Sequence, residues 1–105
     1  MAALWNINAP NAVQLFDFRD AITKVKLSNA TITAKLINHT KTADIAGSAF
    51  SIPLVDAPTA HYGGISNVQS FDENTLMWLE IKGMIGEATV YLQQFEVVAG
   101  YGPSG

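Results

Sequence analysis

The chain has 105 residues, no cysteine and a formal net charge of −3 at pH 7. This length suits one domain with a single core, which must hold the fold without disulfides or thiolate metal sites. A small negative charge offers no basic surface for phosphates, and no apolar run approaches the ~18 residues that cross a bilayer, so neither a nucleic-acid partner nor a membrane partner is expected.

The content and placement of charge favour association. Only 14% of the residues are charged, against about 25% in typical domains. Much of the surface is therefore neutral or apolar, which favours contact with a partner or a second copy, unless Ser, Thr, Asn and Gln solvate it instead. Residues 1–41 hold five bases and two acids (+3), and residues 42–105 hold one base and seven acids (−6). This asymmetry favours head-to-tail packing only if the two halves stay apart in space.

The first half of the chain contains one regular strand pattern. Residues 13–18 alternate in a way that predicts a strand with either face buried, and residues 22–27 predict a short edge strand carrying two lysines. Residues 29–37 give the clearest signal, because apolar and polar side chains alternate along them. We expect this central strand to bury one face and to expose the other. The buried set is Ala30, Ile32, Ala34 and Leu36; the exposed set is Thr31, Thr33 and Lys35.

The second half predicts several shorter strands and one long one. After a turn at 38–41, we expect strands at 42–45, 50–54 and 60–65, followed by a polar loop at 66–74. Residues 75–82 alternate again, with Met77, Leu79 and Ile81 on one side and Leu76 and Trp78 on the other. We expect a turn at 83–86, a last strand at 88–98 with a bulge near Gln93-Gln94, and a flexible tail at 100–105.

These elements predict an all-β fold. About seven short strands at intervals of about ten residues, without a credible helix, indicate a single antiparallel β-sandwich over residues 1–99. A small β-barrel is the alternative. No basic region precedes an apolar run at the N-terminus, so export is not expected and a cytoplasmic location is predicted.

The titratable residues do not predict an enzyme. His39 and His61 lie 22 positions apart without a neighbouring His or Cys ligand, which is a weak metal signal. Asp17 and Asp20 would share a site with Asp72 and Glu73 only if the fold brought them together. We therefore expect no catalytic, cofactor-binding or metal-binding residues, and no cofactor.

The best interface candidates are Leu76, Trp78 and Trp5. If Met77 and its alternating neighbours fill the core, Leu76 and Trp78 point outward, where an exposed tryptophan is a typical contact anchor. The opposite parity would make Trp78 the core tryptophan, and the pattern alone leaves this open.

Several segments, in their order along the chain, resemble a small immunoglobulin-like domain of bacteriophage and prophage proteins over about residues 7–98. They are residues 7–11, 15–21, 29–36, 46–47, 62–64 and 77–81. The resemblance implies an immunoglobulin-like sandwich in a structural or accessory part of a virion or mobile element. It implies oligomerisation, with itself or with other virion or mobile-element proteins, rather than catalysis. The alternative function is a stand-alone accessory module that docks a protein or carbohydrate through an exposed aromatic face.

Overall fold

The computed structural model describes residues 3–101, and all regular structure in this range is β. None of these residues forms a helix long and apolar enough to span a membrane. The prediction of an all-β fold is confirmed, and its two sheets fit both the sandwich and the small barrel. The strands are β1 (Ala3–Asn6), β2 (Ala12–Leu15), β3 (Thr31–Asn38), β4 (Phe50–Ser51), β5 (Leu54–Asp56), β6 (His61–Ile65), β7 (Leu76–Ile85) and β8 (Ala88–Gly100).

The strands form a five-stranded sheet in the order β1-β8-β7-β3-β4 and a three-stranded sheet in the order β2-β6-β5. The prediction of a purely antiparallel fold is corrected, because β1 and β8 pair in parallel. A parallel pair needs a long connection between its strands, and here almost the whole chain lies between the first and the last strand. The other strand pairs among the described residues are antiparallel.

The predicted faces of the two long strands, β3 and β7, are confirmed. Ile32, Ala34 and Leu36 of β3 and Met77, Leu79 and Ile81 of β7 are buried, and Thr31, Thr33 and Leu76 are exposed. Ala30, which was expected to be buried with them, precedes β3 and is only partly buried. Strand pairing keeps the two sets on one face, since Leu36 lies opposite Leu79 and Ala34 opposite Ile81. Ile37 is the exception on the outer face: it is buried where the returning chain bridges to it at Asp44.

The predicted turn at 83–86 is wrong. β7 continues to Ile85, and the chain turns at Gly86-Glu87, where Gly86 takes a left-handed φ of 58°. Gly83 pairs with Tyr91 in the ladder. No side chain fits at this position, because a Cβ on Gly83 would lie 2.7 Å from Phe18 Cζ. The β7–β8 register shifts here, between Gly83 and Met84, rather than near Gln93-Gln94.

Two of the predicted short strands are wrong: each of these segments is a loop that forms a single isolated β-bridge. Residues 22–27 belong to a loop closed by a bridge between Arg19 and Lys26. The reason is local, because the Asp20 carboxylate accepts hydrogen bonds from the Ile22 and Thr23 amides at 2.8 and 2.9 Å. Aspartate competes in this way with strand pairing. Residues 42–45 likewise contribute one bridge, between Asp44 and Ile37.

The core lies between the two sheets and is organised around Tyr62. This side chain is fully buried, and its ring meets Phe18 edge-on at 5.3 Å between centroids. Its hydroxyl donates to the Leu27 carbonyl at 2.9 Å and accepts from the Ala30 amide at 3.1 Å. A buried hydroxyl needs such partners, and these two bonds hold the entry to β3 against the small sheet.

The last strand is longer than predicted. β8 runs through Gly100, two residues beyond the expected end of the strand at Val98. The carbonyl of Gly100 accepts a hydrogen bond from the Ile7 amide at 2.9 Å. Residues 102–105 of the predicted flexible tail lie outside the described residues.

Candidate interaction surface

The outer side of the three-stranded sheet exposes several large apolar side chains. Val13, Leu15 and Tyr62 face the core, so strand alternation turns their neighbours outward. Val55 of β5 lies on the same side, since its Cγ2 would be 3.3 Å from a Cβ placed on Gly63. We call this surface the neutral face. Its residues are Ala12, Gln14, Phe16, Val55, His61, Gly63 and Ile65.

The neutral face combines high exposure with defined geometry. Phe16, Ile65 and Val55 are 70%, 68% and 61% exposed. The Phe16 ring stacks on His61, with 4.4 Å between centroids and 20° between planes. A hydrogen bond of 3.0 Å joins His61 Nε2 to Gln14 Oε1. Gln14 of β2 therefore holds the His61 ring in place against Phe16. Beside this pair, Gly63 has no side chain to cover the sheet.

The charged side chains at the border of the neutral face form ion pairs and hydrogen bonds with neighbouring residues. Asp17 pairs with Arg19 at 3.0 Å and with Lys26 at 3.3 Å. The hydrogen bond from Arg19 is the main cause that lowers the pKa of Asp17 below its ordinary value. On the other side, Asp56 lies opposite His61 in the β5–β6 ladder, and its carboxylate accepts hydrogen bonds from the amide and hydroxyl of Thr59. None of the seven residues of the neutral face is itself Asp, Glu, Lys or Arg, and depletion of charge is typical of interface cores.

The sequence did not predict the neutral face, although it carried a partial signal. Residues 13–18 place apolar side chains on both parities, with Val13 and Leu15 on one and Phe16 and Phe18 on the other. Alternation alone therefore left the buried side of β2 undecided. The pairing of Leu15 with buried Tyr62 decides it.

Trp78 lies on the outer face of the large sheet, between buried Met77 and Leu79 of the other parity. Of the two alternatives that the sequence left open, the core tryptophan is therefore wrong. The Trp78 side chain is half-buried rather than fully exposed. Its Nε1 donates to the His39 carbonyl at 3.0 Å, and Lys41 Nζ lies 4.1 Å from the ring centroid. Leu76 is 39% exposed and lies opposite Val98. Leu76 thus remains an open contact candidate, whereas Trp78 is partly covered by its own chain.

The prediction of Trp5 as an interface anchor is corrected. Trp5 is 4% exposed and its ring packs against Phe50 in the core. β1 lies beside the end of β8, with Trp5 paired to Ala99, and both residues are buried on the inner face of the sheet. A side chain so enclosed presents no surface to a partner.

The titratable residues singled out in the sequence are kept apart. His39 contacts Glu96, whereas His61 contacts Gln14. The loop of Asp17 and Asp20 joins β8 at Val90, while Asp72 bonds to Thr75 at the opposite end of the β7–β8 ladder. Within residues 3–101, no three His, Asp or Glu side chains are grouped so that they could hold a metal ion.

The charge asymmetry of the sequence is compensated in space. Lys35 Nζ lies 3.1 Å from Asp44 and 3.7 Å from Glu80, both from the acidic part of the chain. The hydrogen bond to Asp44 is the main cause that raises the pKa of Lys35. The two halves interleave in the large sheet, so the sequence asymmetry does not favour head-to-tail packing.

The edge of β8 is a second open feature of the described chain. β1 pairs only with Val97–Gly100, and the Ala21 amide bonds to the Val90 carbonyl. Val90 and Gly100 both turn their carbonyls to this edge, so alternation directs those of Leu92, Gln94 and Glu96 the same way. Unpaired strand edges of this kind are sites of strand addition.

In comparisons with known proteins, the chain matches no family model, no curated protein and no solved structure. Its function must therefore be argued from its surfaces. Among the surfaces described, the neutral face combines the largest exposed apolar side chains with the absence of charged residues.

Proposed function

We propose that this chain is a non-catalytic structural module that self-associates, built on an immunoglobulin-like sandwich as its resemblance to phage and prophage domains implies. The observation that carries the proposal is the neutral face, where Phe16, Val55 and Ile65 are each 61–70% exposed on an uncharged sheet surface. Contiguous apolar patches on soluble domains commonly mark contact sites.

The chemistry of the neutral face suits contact between two copies. Burial of apolar surface contributes roughly 25 cal/mol per Å². A two-fold contact places the same patch on both partners. The seven residues of this patch include no Asp, Glu, Lys or Arg, so its centre sets no like charges against each other. At its border the Asp56 carboxylate, opposite His61, already accepts hydrogen bonds from Thr59. The Phe16–His61 stack supplies a fixed aromatic anchor, of the type enriched at the centres of interfaces.

Sedimentation equilibrium between about 1 and 100 μM, a range that populates even weak interfaces of ~6–8 kcal/mol, tests the proposal. We expect an average mass that rises above the 11.3 kDa of one chain. The Ile65→Lys variant places a charge on the neutral face and should shift the mass toward the monomer. Ile22→Lys is the matched control, because Ile22 is 89% exposed in the loop after β2 and is not one of the residues of this face, so its replacement should leave the mass unchanged.

Two results would contradict the proposal. A monomer at all concentrations would refute self-association itself. A mass that rises equally in wild type and Ile65→Lys would refute the neutral face as the contact, and the open edge of β8 would be the next surface to test.

The second candidate function is a stand-alone binding module, and the Phe16–His61 stack favours it. An exposed aromatic ring next to the Gln14 amide offers both an apolar platform and hydrogen-bonding groups, a combination that suits a carbohydrate or a protein side chain. A glycan array with wild type and Phe16→Ala tests this candidate. Glycan binding that is lost in the variant supports this candidate. If the wild type binds no glycan, a protein is the remaining ligand class.

The genes next to the coding gene separate the two candidates. Tail or capsid genes beside it support a role in virion assembly. An integrase or recombination site without structural genes supports a cassette-borne accessory module.

A further inference from the structure

Residues 39–43, which we call the hairpin tip, fold back over the outer face of the large sheet. Asn38 fixes the bend, because its Oδ1 accepts hydrogen bonds from the Thr42 and Ala43 amides at 2.8 and 3.2 Å. The chain then returns past Ile37, to which Asp44 bridges. The tip therefore covers Trp78, which His39 and Lys41 contact, while Ile37 is buried beside the returning chain at Asp44.

Several contacts join the tip to Trp78 and to the neighbouring strand. Trp78 Nε1 donates to the His39 carbonyl at 3.0 Å, and Lys41 Nζ lies 4.1 Å from the indole centroid. The His39 ring lies parallel to the indole within 6°, with 6.1 Å between centroids. His39 Nε2 lies 3.3 Å from Glu96 Oε2, and Glu96 is directly opposite Trp78 in the β7–β8 ladder.

We propose that the hairpin tip is a pH-responsive latch over Trp78 and that His39 is its sensor. Histidine is the side chain that ordinarily changes charge between about pH 5 and 8. The groups in contact around His39 are Glu96 from β8 and Trp78 from β7, with Lys41 on the same tip. When His39 takes up a proton from solvent, its hydrogen bond to the Glu96 carboxylate becomes an ion pair.

The sign of the response follows from these positions. The carboxylate of Glu96 is in direct hydrogen-bond contact with the imidazole, whereas the ammonium of Lys41 is placed over the indole ring. Attraction to Glu96 therefore outweighs repulsion from Lys41, and protonation tightens the latch. At higher pH the ion pair is absent, and the tip is held by the indole hydrogen bond and the Lys41 contact.

Opening of the latch uncovers a second apolar surface. Trp78 would then join Leu76 and Leu4, which are already exposed. Leu4 and Leu76 both lie opposite Val98, so these residues adjoin on one end of the large sheet. This inference concerns a different sheet from the neutral face and does not rest on self-association.

The experiment is solvent exchange of the tryptophan indole N–H groups, measured by ¹⁵N NMR on the full chain. The chain has two tryptophans, so Trp5 in the core serves as an internal control for the fold. We expect the protection of the Trp78 N–H, relative to free indole at the same pH, to be about 1.5- to 5-fold greater at pH 5.5 than at pH 8, the range given by a partly exposed ion pair.

Two histidine variants complete the test. His39→Gln keeps a polar side chain that cannot ionise in this range, so the Trp78 protection should become the same at both pH values. His61→Gln removes the histidine of the neutral face and should leave the pH response intact. Equal protection at both pH values in the wild type, greater protection at pH 8, a response that persists in His39→Gln, or one that vanishes in His61→Gln would each overturn the proposal.

Discussion

Trp5 and Phe50 belong to the two opposite edge strands of the five-stranded sheet, yet their ring centroids lie 6.4 Å apart. At about 4.8 Å between neighbouring strands, a flat sheet would separate its edge strands by roughly 19 Å. The sheet therefore curls over the core, and the two aromatic side chains meet across the concave side. This curl gives the molecule its half-barrel character and buries a tryptophan that stands on an edge strand.

The two tryptophans should differ strongly in their contribution to stability. Trp5→Ala removes a fully enclosed ring and should lower the free energy of unfolding by about 3–5 kcal/mol. Trp78→Ala removes a half-buried ring on the outer face and should cost less than about 1.5 kcal/mol. Urea denaturation followed by circular dichroism measures both changes. Equal losses would mean that Trp78 contributes as much to the free energy of unfolding as Trp5 does.

Replacement by alanine should lower stability at only one of the two adjacent glycines of β6. A Cβ on Gly64 would overlap the Ser51 carbonyl and lie 2.9 Å from Ile52 Cα. These are backbone atoms, so Gly64→Ala should cost about 1–3 kcal/mol through overpacking. A Cβ on Gly63 would meet only side chains, the nearest being exposed Val55 at 3.3 Å.

Gly63→Ala, the control for Gly64→Ala, should therefore change stability by no more than about 0.5 kcal/mol. Thermal unfolding of the two variants tests the close approach of β4 to β6. If Gly64→Ala were as stable as Gly63→Ala, the two sheets would not meet at this point.

The two faces of β3 should tolerate a carboxylate very differently. Ile32 is buried beneath the small sheet, so Ile32→Asp leaves an unpaired polar group in the core at a cost of several kcal/mol. That is a large part of the ~5–15 kcal/mol that stabilises a typical domain. Thr33 is exposed and lies opposite Lys82, so Thr33→Asp should cost less than about 1 kcal/mol. Comparable drops in melting temperature would show that both faces of β3 are buried.

The loop after β2 should loosen in acid. Backbone hydrogen bonds from Thr23 and then Ile22 lower the pKa of Asp20 below its ordinary value of 3.8. Because the folded pKa is the lower one, the stabilisation is complete above the ordinary value and is lost as pH falls through the lowered value. The amide resonances of Ile22 and Thr23 should therefore move below about pH 4. Asp20→Asn, whose side chain does not titrate there, should abolish this movement.

The sequence by itself determined the fold class and the faces of the long strands. In β3 and β7 one parity is apolar at three successive positions, Ile32, Ala34 and Leu36 in β3 and Met77, Leu79 and Ile81 in β7. Neighbouring side chains of a strand must point to opposite faces. The burial of Leu36 and Met77 could be predicted for this reason, whereas the pattern left the side of Trp78 open. Prediction failed at residues 22–27, where alternation indicated a strand but the Asp20 carboxylate bonds to the local amides instead.

Only the tertiary structure decided which surfaces are covered. Alternation is a local property, whereas coverage depends on which distant segment passes over a face. The curl of the sheet buries Trp5, the hairpin tip covers Trp78, and pairing with β6 turns Phe16 outward. Each of these outcomes depends on contacts between residues far apart in the chain, so no periodicity within a single segment carries the information.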